Sequence, residues 1–298
     1  MGLIGLYCGA KFIIDGAVGI AKALGVSELI IGATVVAFGT SLPELASSVS
    51  AMRLGEGHPG IVIGNVLGSN LANFGLAIGL VAIFHQMHLH RELIYDDAIF
   101  VIASGLALFG AMIDLRISAF DGLMMLAMYS AYVYHKIPRY LEEKEKAETQ
   151  DSLQPLHLLH LAGGIVLIYI SSDHLIGSLL GISASLGIGE EVAAFLLLAV
   201  GTSLPEVATS IVATKKGQGG LAIGNILGSS SFNNLAILGV SSFLGNLVVI
   251  DGFVSHALLA MIFSSLLLGL MALNDRIISR LEGAVLFIIY CLIVANMI

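Results

Sequence analysis

Charge is scarce in this chain, and cysteine scarcer still. Asp, Glu, Lys and Arg make up 11% of the 298 residues, hydrophobic residues 57%, and tryptophan is absent. Soluble domains carry about a quarter charged residues, so this balance, with a mean hydropathy of +0.97, excludes one and puts most of the length in lipid. The two cysteines, Cys8 and Cys291, lie far apart in apolar runs, which excludes a disulfide framework and a cysteine metal motif. Net charge is −8, yet the basic residues fall in loops, and no basic tract exists that could hold nucleic acid. No basic region precedes Leu3 and no small-residue cleavage site follows the first apolar run, so no signal peptide is expected.

What fills the chain instead is apolar segments divided by short polar turns. Ten can be drawn, at roughly 3–21, 28–53, 60–84, 97–113, 118–135, 157–180, 190–214, 219–247, 252–273 and 280–297. A bilayer span needs about 20 apolar residues and no fewer than about 17, so the fourth and tenth are short. The first begins almost at Met1 and carries Lys11 and Asp15, four apart and able to neutralise each other on one helical face. Either the chain starts inside that span or the span is thin. The one long polar stretch, 136–156, mixes Lys136, Arg139, Lys144 and Lys146 with Glu142, Glu143, Glu145 and Glu148, and reads as a solvated linker or short amphipathic helix. It separates residues 1–135 from 157–298, five spans in each half. With the N-terminus outside, the cytoplasmic loops hold Lys22, Arg91, Lys136, Arg139, Lys144, Lys146, Lys215, Lys216, Arg276 and Arg280, against Arg53 and Arg116 outside. That bias predicts both termini outside and the long loop in the cytoplasm, in an inner (cell) membrane.

Inside the second apolar run stands Gly39-Thr40-Ser41-Leu42-Pro43-Glu44, and the same six residues return as Gly201-Thr202-Ser203-Leu204-Pro205-Glu206. A carboxylate at membrane depth costs about 2.5–3.5 kcal/mol on insertion scales, so meeting it twice with the same flanks speaks against packing as its reason. Pro43 lacks an N–H and crowds the carbonyl one turn back, which predicts a helix break near Phe38–Ser41 and orphaned carbonyls at about Ala37–Thr40. Such carbonyls must be met by protein, water or a cation. Carbonyls, the hydroxyls of Thr40 and Ser41, and Glu44 are all hard oxygen ligands, suited to Ca²⁺ and alkali cations.

A second block repeats in the same order: Gly64-Asn65-Val66-Leu67-Gly68-Ser69-Asn70-Leu71-Ala72-Asn73, then Gly224-Asn225-Ile226-Leu227-Gly228-Ser229-Ser230-Ser231-Phe232-Asn233. The hexapeptides are offset by 162 residues and these blocks by 160. Five spans per half is an odd number, so the second half enters the membrane from the opposite side. This is an inverted-topology repeat, a plan common among secondary transporters with a midplane site. Gly64 and Gly68, and Gly224 and Gly228, form small faces that let helices approach closely. Ser69 and Asn73 share a helical face, as do Ser229 and Asn233. Asn65, Asn70 and Asn225 are as readily explained by interhelical hydrogen bonding as by a ligand role.

With GTSLPE and GNxxGSN/S duplicated in ten spans, the chain closely resembles the cation/Ca²⁺ antiporter superfamily, and within it the prokaryotic sodium/calcium exchangers. The resemblance implies an all-α polytopic membrane fold of ten transmembrane helices, as two inverted five-helix repeats with helices 2 and 7 broken. It implies a rigid core including helices 2, 3, 7 and 8, a sliding pair, 1 and 6, and exchange of Na⁺ for Ca²⁺ by alternating access. Carried across motif by motif, the acidic ligands fall on Glu44 and Glu206. The helix-3 and helix-8 positions fall on Asn73 and Asn233, preceded by Ser69 and Ser229. The broken-helix oxygens fall on Thr40, Ser41, Thr202 and Ser203, with the carbonyls of Ala37 and Ala199. Some relatives have Asp where this chain has Asn233, and acidic residues there accompany K⁺ dependence; asparagine at both positions weakens the case for K⁺. The proton-coupled branch carries GNxxE-type motifs, absent here, which favours Na⁺ and leaves an H⁺-coupled Ca²⁺ exchanger as the alternative. No prosthetic group is implied. The partners are the bilayer and the transported ions Ca²⁺ and Na⁺, and a monomer is expected.

Other residues carry weaker signals. His85, His88 and His90 form an HxxHxH cluster whose plain reading is interfacial solvation. Asp121 and Asp173 read as helix-end or water-facing groups. An intramembrane hydrolase using Glu44 and Glu206 lacks a nucleophile, since GTS is not GxSxG, and HExxH is absent. A channel would keep the cation site and drop the coupling.

Overall fold

The computed structural model of the chain describes residues 2–53, 59–85, 87–88, 91–146, 152–185, 201–248, 258–267, 270 and 277–297. The described residues are mostly helical, and among them three helices are long and apolar enough to cross a membrane: Ile4–Leu24, Glu28–Arg53 and Pro59–Phe84. Helix α1 (Gly2–Leu24) ends at Gly25, whose φ of 66° only glycine adopts freely. There Val26 N–H reaches back to Ala21 and Gly25 N–H to Lys22, closing the helix end.

The second apolar run folds as α2 (Glu28–Ile31), a π-helical stretch Gly32–Val36, α3 (Ala37–Thr40) and α4 (Leu42–Arg53). The third folds as α5 (Pro59–Leu71), a π-helical stretch Ala72–Ile78 and α6 (Gly79–Phe84). After β1 (Met87–His88) come α7 (Arg91–Ala111), β2 (Arg116–Ile117), α8 (Ala119–Lys146) and α9 (Pro155–Ser185). The second half continues with α10 (Leu204–Lys215) and α11 (Gly219–Ser231), and then a π-helical stretch, Phe232–Ile237, and α12 (Leu238–Ser242). Next come β3 (Leu247–Val248), α13 (Leu258–Leu267), β4 (Ile277–Ile278) and α14 (Arg280–Met297).

Contacts between the halves are reciprocal. Strand β1 pairs with β4 and β2 with β3, both antiparallel, and Met87 and Leu247, like Arg116 and Ile277, correspond under the repeat. A Cβ on Gly79 would lie 3.0 Å from the carbonyl oxygen of Gly283, and one on Gly239 would lie 3.0 Å from that of Gly122, so α6 meets α14 as α12 meets α8. Ser118 and Asp121 cap α8 as Ser279 and Glu282 cap α14: backbone N–H to carboxylate at 2.8 Å in both, with the hydroxyl returning the bond. Asp121 is therefore a helix-end group. Asp173 lies within α9, its side chain outside the described residues.

Helices α1 and α9 run antiparallel. Gly5 faces Ser171, Gly9 faces Gly164, and Gly16 faces Leu161, with no room for a Cβ at any of the three. Large apolar side chains face outward, among them Leu159 on α9 and Ile288 on α14, while Glu44, Asn70, Ser203 and Asn233 are buried. That is the reverse of a soluble protein, in which buried polar groups are few and the outer face is charged.

Two expectations change, those for Asp15 and Lys136. Asp15 pairs with Lys216 at the end of α10, rather than with Lys11 one turn away. Helix α8 runs on to Lys146, so of the two readings of the polar stretch from residue 136 the helical one holds over its first half. Lys136, expected as a cytoplasmic loop residue, is buried on that helix and paired with Asp97 of α7, which also accepts from Tyr132 at 2.7 Å.

Candidate cation site

Each hexapeptide forms a helix interruption one residue wide. Ser41 has φ −90° and ψ 7°, Ser203 has φ −85° and ψ 0°, and the next helix begins at once with proline in its first turn. Pro43 withholds the N–H that Gly39's carbonyl would have received. The helices on the two sides close on Ser41: its N–H donates to Ala37 at 3.1 Å, and Leu45 N–H donates to its carbonyl at 3.2 Å. Of the carbonyls expected to be orphaned, that of Ala37 is therefore met. The Ala37 carbonyl accepts Ser41 and lies 3.4 Å from the hydroxyls of Thr40 and Ser229.

The break places Glu44 in the first turn of α4 and Glu206 in the first turn of α10, where the helix N-terminus favours negative charge. Both are buried, at 0% and 1% exposure, and each acts on the other electrostatically. A buried carboxylate demands donors or a cation. Glu206 receives two donors at Oε1: Ser41 Oγ at 3.1 Å, from the other half, and Ser229 Oγ at 3.3 Å. Among the described residues its Oε2 receives none, and neither oxygen of Glu44 has a donor in hydrogen-bond geometry, with Ser69 close enough to act on that carboxylate.

Around the carboxylates, each hexapeptide bonds to the other half's Gly-Asn block. Thr40 Oγ1 donates to Asn225 Oδ1 at 3.1 Å, and Thr202 Oγ1 donates to Asn65 Oδ1 at 3.2 Å. Thr202 lies 2.9 Å from Ser69, and Thr40 lies 3.4 Å from Ser229. Ser203 reaches the Ser69 carbonyl at 3.4 Å. Asn65 also donates to the Glu44 carbonyl at 3.2 Å and to Ser47 and Ser48 at 3.1 Å, tying α5 to α4.

Asn73 and Asn233 are buried and turn their nitrogens away: Asn73 Nδ2 to Ser230 at 3.3 Å, Asn233 Nδ2 to Asn70 at 3.2 Å. Both Oδ1 atoms are without a partner. Five acceptor oxygens on Glu44, Glu206, Asn73 and Asn233 are therefore orphaned and buried. Carboxylate and amide oxygens are hard donors, of the kind that suit Ca²⁺ or Na⁺ rather than a soft metal.

The structure thus brings together Thr40, Ser41, Ser69, Thr202, Ser203, Glu206 and Ser229, with Ala37 at the edge and Glu44 within electrostatic reach of Glu206, while Asn73 and Asn233 join through Ser230 and Asn70, the sequence neighbours of Ser229 and Ser69. Ala199 and His90 lie outside the described residues; His88 is in β1, and His85 is exposed. Among the described residues no cluster of three or more His, Cys, Asp or Glu could hold a metal. Sequence reasoning missed Ser104 and Asn234, which stand behind the site. Asn234 was readable as one more amide in an apolar run, but nothing in the spacing distinguished it.

The chain matches the family described as sodium/calcium exchanger protein over residues 1–137 and 156–298. It is 32% identical to a membrane protein of Methanocaldococcus jannaschii over 100% of this chain and 96% of that one. It is 31% identical to the sodium/calcium exchanger MaX1 of Methanosarcina acetivorans, covering 97% of this chain and 94% of the relative. Its structure superposes on that of the sodium-calcium exchanger NCX_Mj with a TM-score of 0.86 at 29% identity, covering 100% and 96% of the two chains.

Proposed function

The chain belongs to the sodium/calcium exchanger family, it is a membrane secondary transporter of the cation/Ca²⁺ antiporter kind, and from that premise we propose that it exchanges Na⁺ for Ca²⁺ by alternating access. The observation that carries this reading is the set of five orphaned oxygens on Glu44, Glu206, Asn73 and Asn233. Glu44 and Glu206 supply two negative charges, which one Ca²⁺ balances; Na⁺ ions use overlapping oxygens in its place. Competition for shared ligands makes exchange obligatory, because an ionised pair without a cation leaves buried charge uncompensated.

The ten-span inverted repeat belongs to the same proposal. The antiparallel run of α1 against α9, the reciprocal strand pairs and the reciprocal threonine–asparagine bonds support it. So does the family match, which skips residues 138–155 between the halves. In this reading α1 and α9, locked by Gly9 and Gly164, move together past the core that holds the site, and the cation is exposed to each side in turn. Both termini lie outside the cell membrane and the α8–α9 connection lies in the cytoplasm.

The test is Ca²⁺ uptake into proteoliposomes loaded with Na⁺, then with a pH gradient and no Na⁺. Uptake that saturates and requires the Na⁺ gradient supports the proposal. Uptake driven by the pH gradient alone assigns H⁺ coupling, and uptake without any counter-ion gradient assigns a channel.

A further inference from the structure

We propose that a chain of four buried hydrogen bonds, from the Val101 carbonyl through Ser104, Asn234 and Asn70, fixes which end of the Asn233 amide faces the cation site. The inference rests on Asn233 being a ligand, as proposed above. An amide can present oxygen or nitrogen, and only the oxygen binds a cation.

The direction is set at the far end. Ser104 Oγ donates to the Val101 main-chain carbonyl at 2.7 Å, an atom that can only accept. Its single proton spent, Ser104 can only accept from Asn234 Nδ2, 2.9 Å away. Asn234 must then turn Oδ1 toward Asn70, whose Nδ2 donates to it at 2.7 Å. The second N–H of Asn70 lies 3.3 Å from the Met261 thioether, which also only accepts. Asn70 therefore turns its Oδ1 to Asn233, Asn233 answers with Nδ2 at 3.2 Å, and the Asn233 oxygen is left buried and without a partner among the described residues. All four polar side chains are at most 1% exposed, so water does not compete.

The other half has no such chain. Ser230 stands where Asn70 does and Phe74 where Asn234 does. Asn73 Nδ2 meets only the Ser230 hydroxyl, which donates as readily as it accepts. Asn233 is thus a committed oxygen ligand, while Asn73 is free to turn. The relay also accounts for an amide rather than a carboxylate at position 233, because a carbonyl oxygen faces it. Ser104, Asn234 and Asn70 are positioning residues.

The test reads the Ca²⁺ concentration for half-maximal Na⁺-driven uptake in proteoliposomes, and the Ca²⁺-dependent rise in melting temperature of the purified full chain. Ser104→Ala, nearly isosteric, is expected to raise the half-saturating Ca²⁺ roughly threefold to tenfold, the worth of one hydrogen bond, with the maximal rate little changed. Asn234→Leu breaks the same chain at a second point and is expected to do likewise. Asn233→Asp supplies the discriminating background: both ends of that side chain are oxygen, and once released Asn70 can turn its N–H toward it. There Ser104→Ala is expected to leave half-saturation unchanged or lower it. An equal rise in both backgrounds would mean that Ser104 only supports the fold, and the relay would be overturned, as it would by no rise in the native background. Failure of the unsubstituted protein to bind or transport Ca²⁺ would overturn the functional reading and the relay together.

Discussion

Ser41, in the first hexapeptide, donates a 3.1 Å hydrogen bond to the carboxylate of Glu206 in the second, 165 residues away. The acid of one half is thus held by the helix break of the other. Neither copy is complete alone, so a substitution in one half acts on the ligands of both.

Replacing Glu44 or Glu206 by glutamine keeps size and removes the charge that balances Ca²⁺. Each substitution is expected to abolish Na⁺-dependent Ca²⁺ uptake in proteoliposomes while the protein still elutes as a folded species in detergent. Full flux in either variant would refute the ligand assignment.

Asn73→Ala and Asn233→Ala remove a neutral oxygen rather than a charge. Loss of flux is expected to be partial, recoverable at higher Ca²⁺, and the concentration dependence of uptake measures it. A loss as complete as in the glutamate variants would reverse that ranking.

Asn65 and Asn225 correspond under the repeat but are bonded differently. Asn65 accepts from Thr202 and donates toward the Glu44 carbonyl, Ser47 and Ser48, whereas Asn225 accepts from Thr40 and its Nδ2 is unpaired. At about 1 kcal/mol per net hydrogen bond, Asn65→Leu should lower the detergent melting temperature more than Asn225→Leu. Equal shifts would show that the extra bonds contribute nothing.

Asp97 and Lys136 form a buried pair between α7 and α8. Removing one partner of such a pair costs about 3–5 kcal/mol, whereas replacing both by apolar residues is often neutral. Lys136→Met is therefore expected to lower the melting temperature sharply, and adding Asp97→Leu to restore most of it. A double variant no better than the single one would show that the pair is not coupled.

How far the sequence reached depends on the range of the forces involved. A carboxylate inside an apolar run stands out wherever its partners are, so Glu44 and Glu206 could be found from the letters alone. The matched Gly-Asn blocks identified the surrounding oxygens, because serine and asparagine four apart must share a helical face. The apolar runs announced helices, since the backbone in lipid has to satisfy itself. Pairing was harder to read. One turn of separation suggested Lys11 as the partner of Asp15, yet Lys216, two hundred residues on, takes that place. Lys136 looked solvated because its neighbours in sequence are polar, and Asp97 was invisible to a local window. The Ala37 carbonyl looked orphaned because spacing does not show that Ser41 can still donate to it.

The amino-acid order by itself determined that this chain lies in a membrane as helices and carries two equivalent acidic, oxygen-rich breaks. Only the tertiary structure decided which oxygens lack partners and which way each amide points. The physical reason is that donors reach the site from 130 to 190 residues away, with Ser69 beside Thr202 and Thr40 beside Ser229. A hydrogen bond's direction is settled by what its partner has already given away, and that is a property of the packed network rather than of any stretch of sequence.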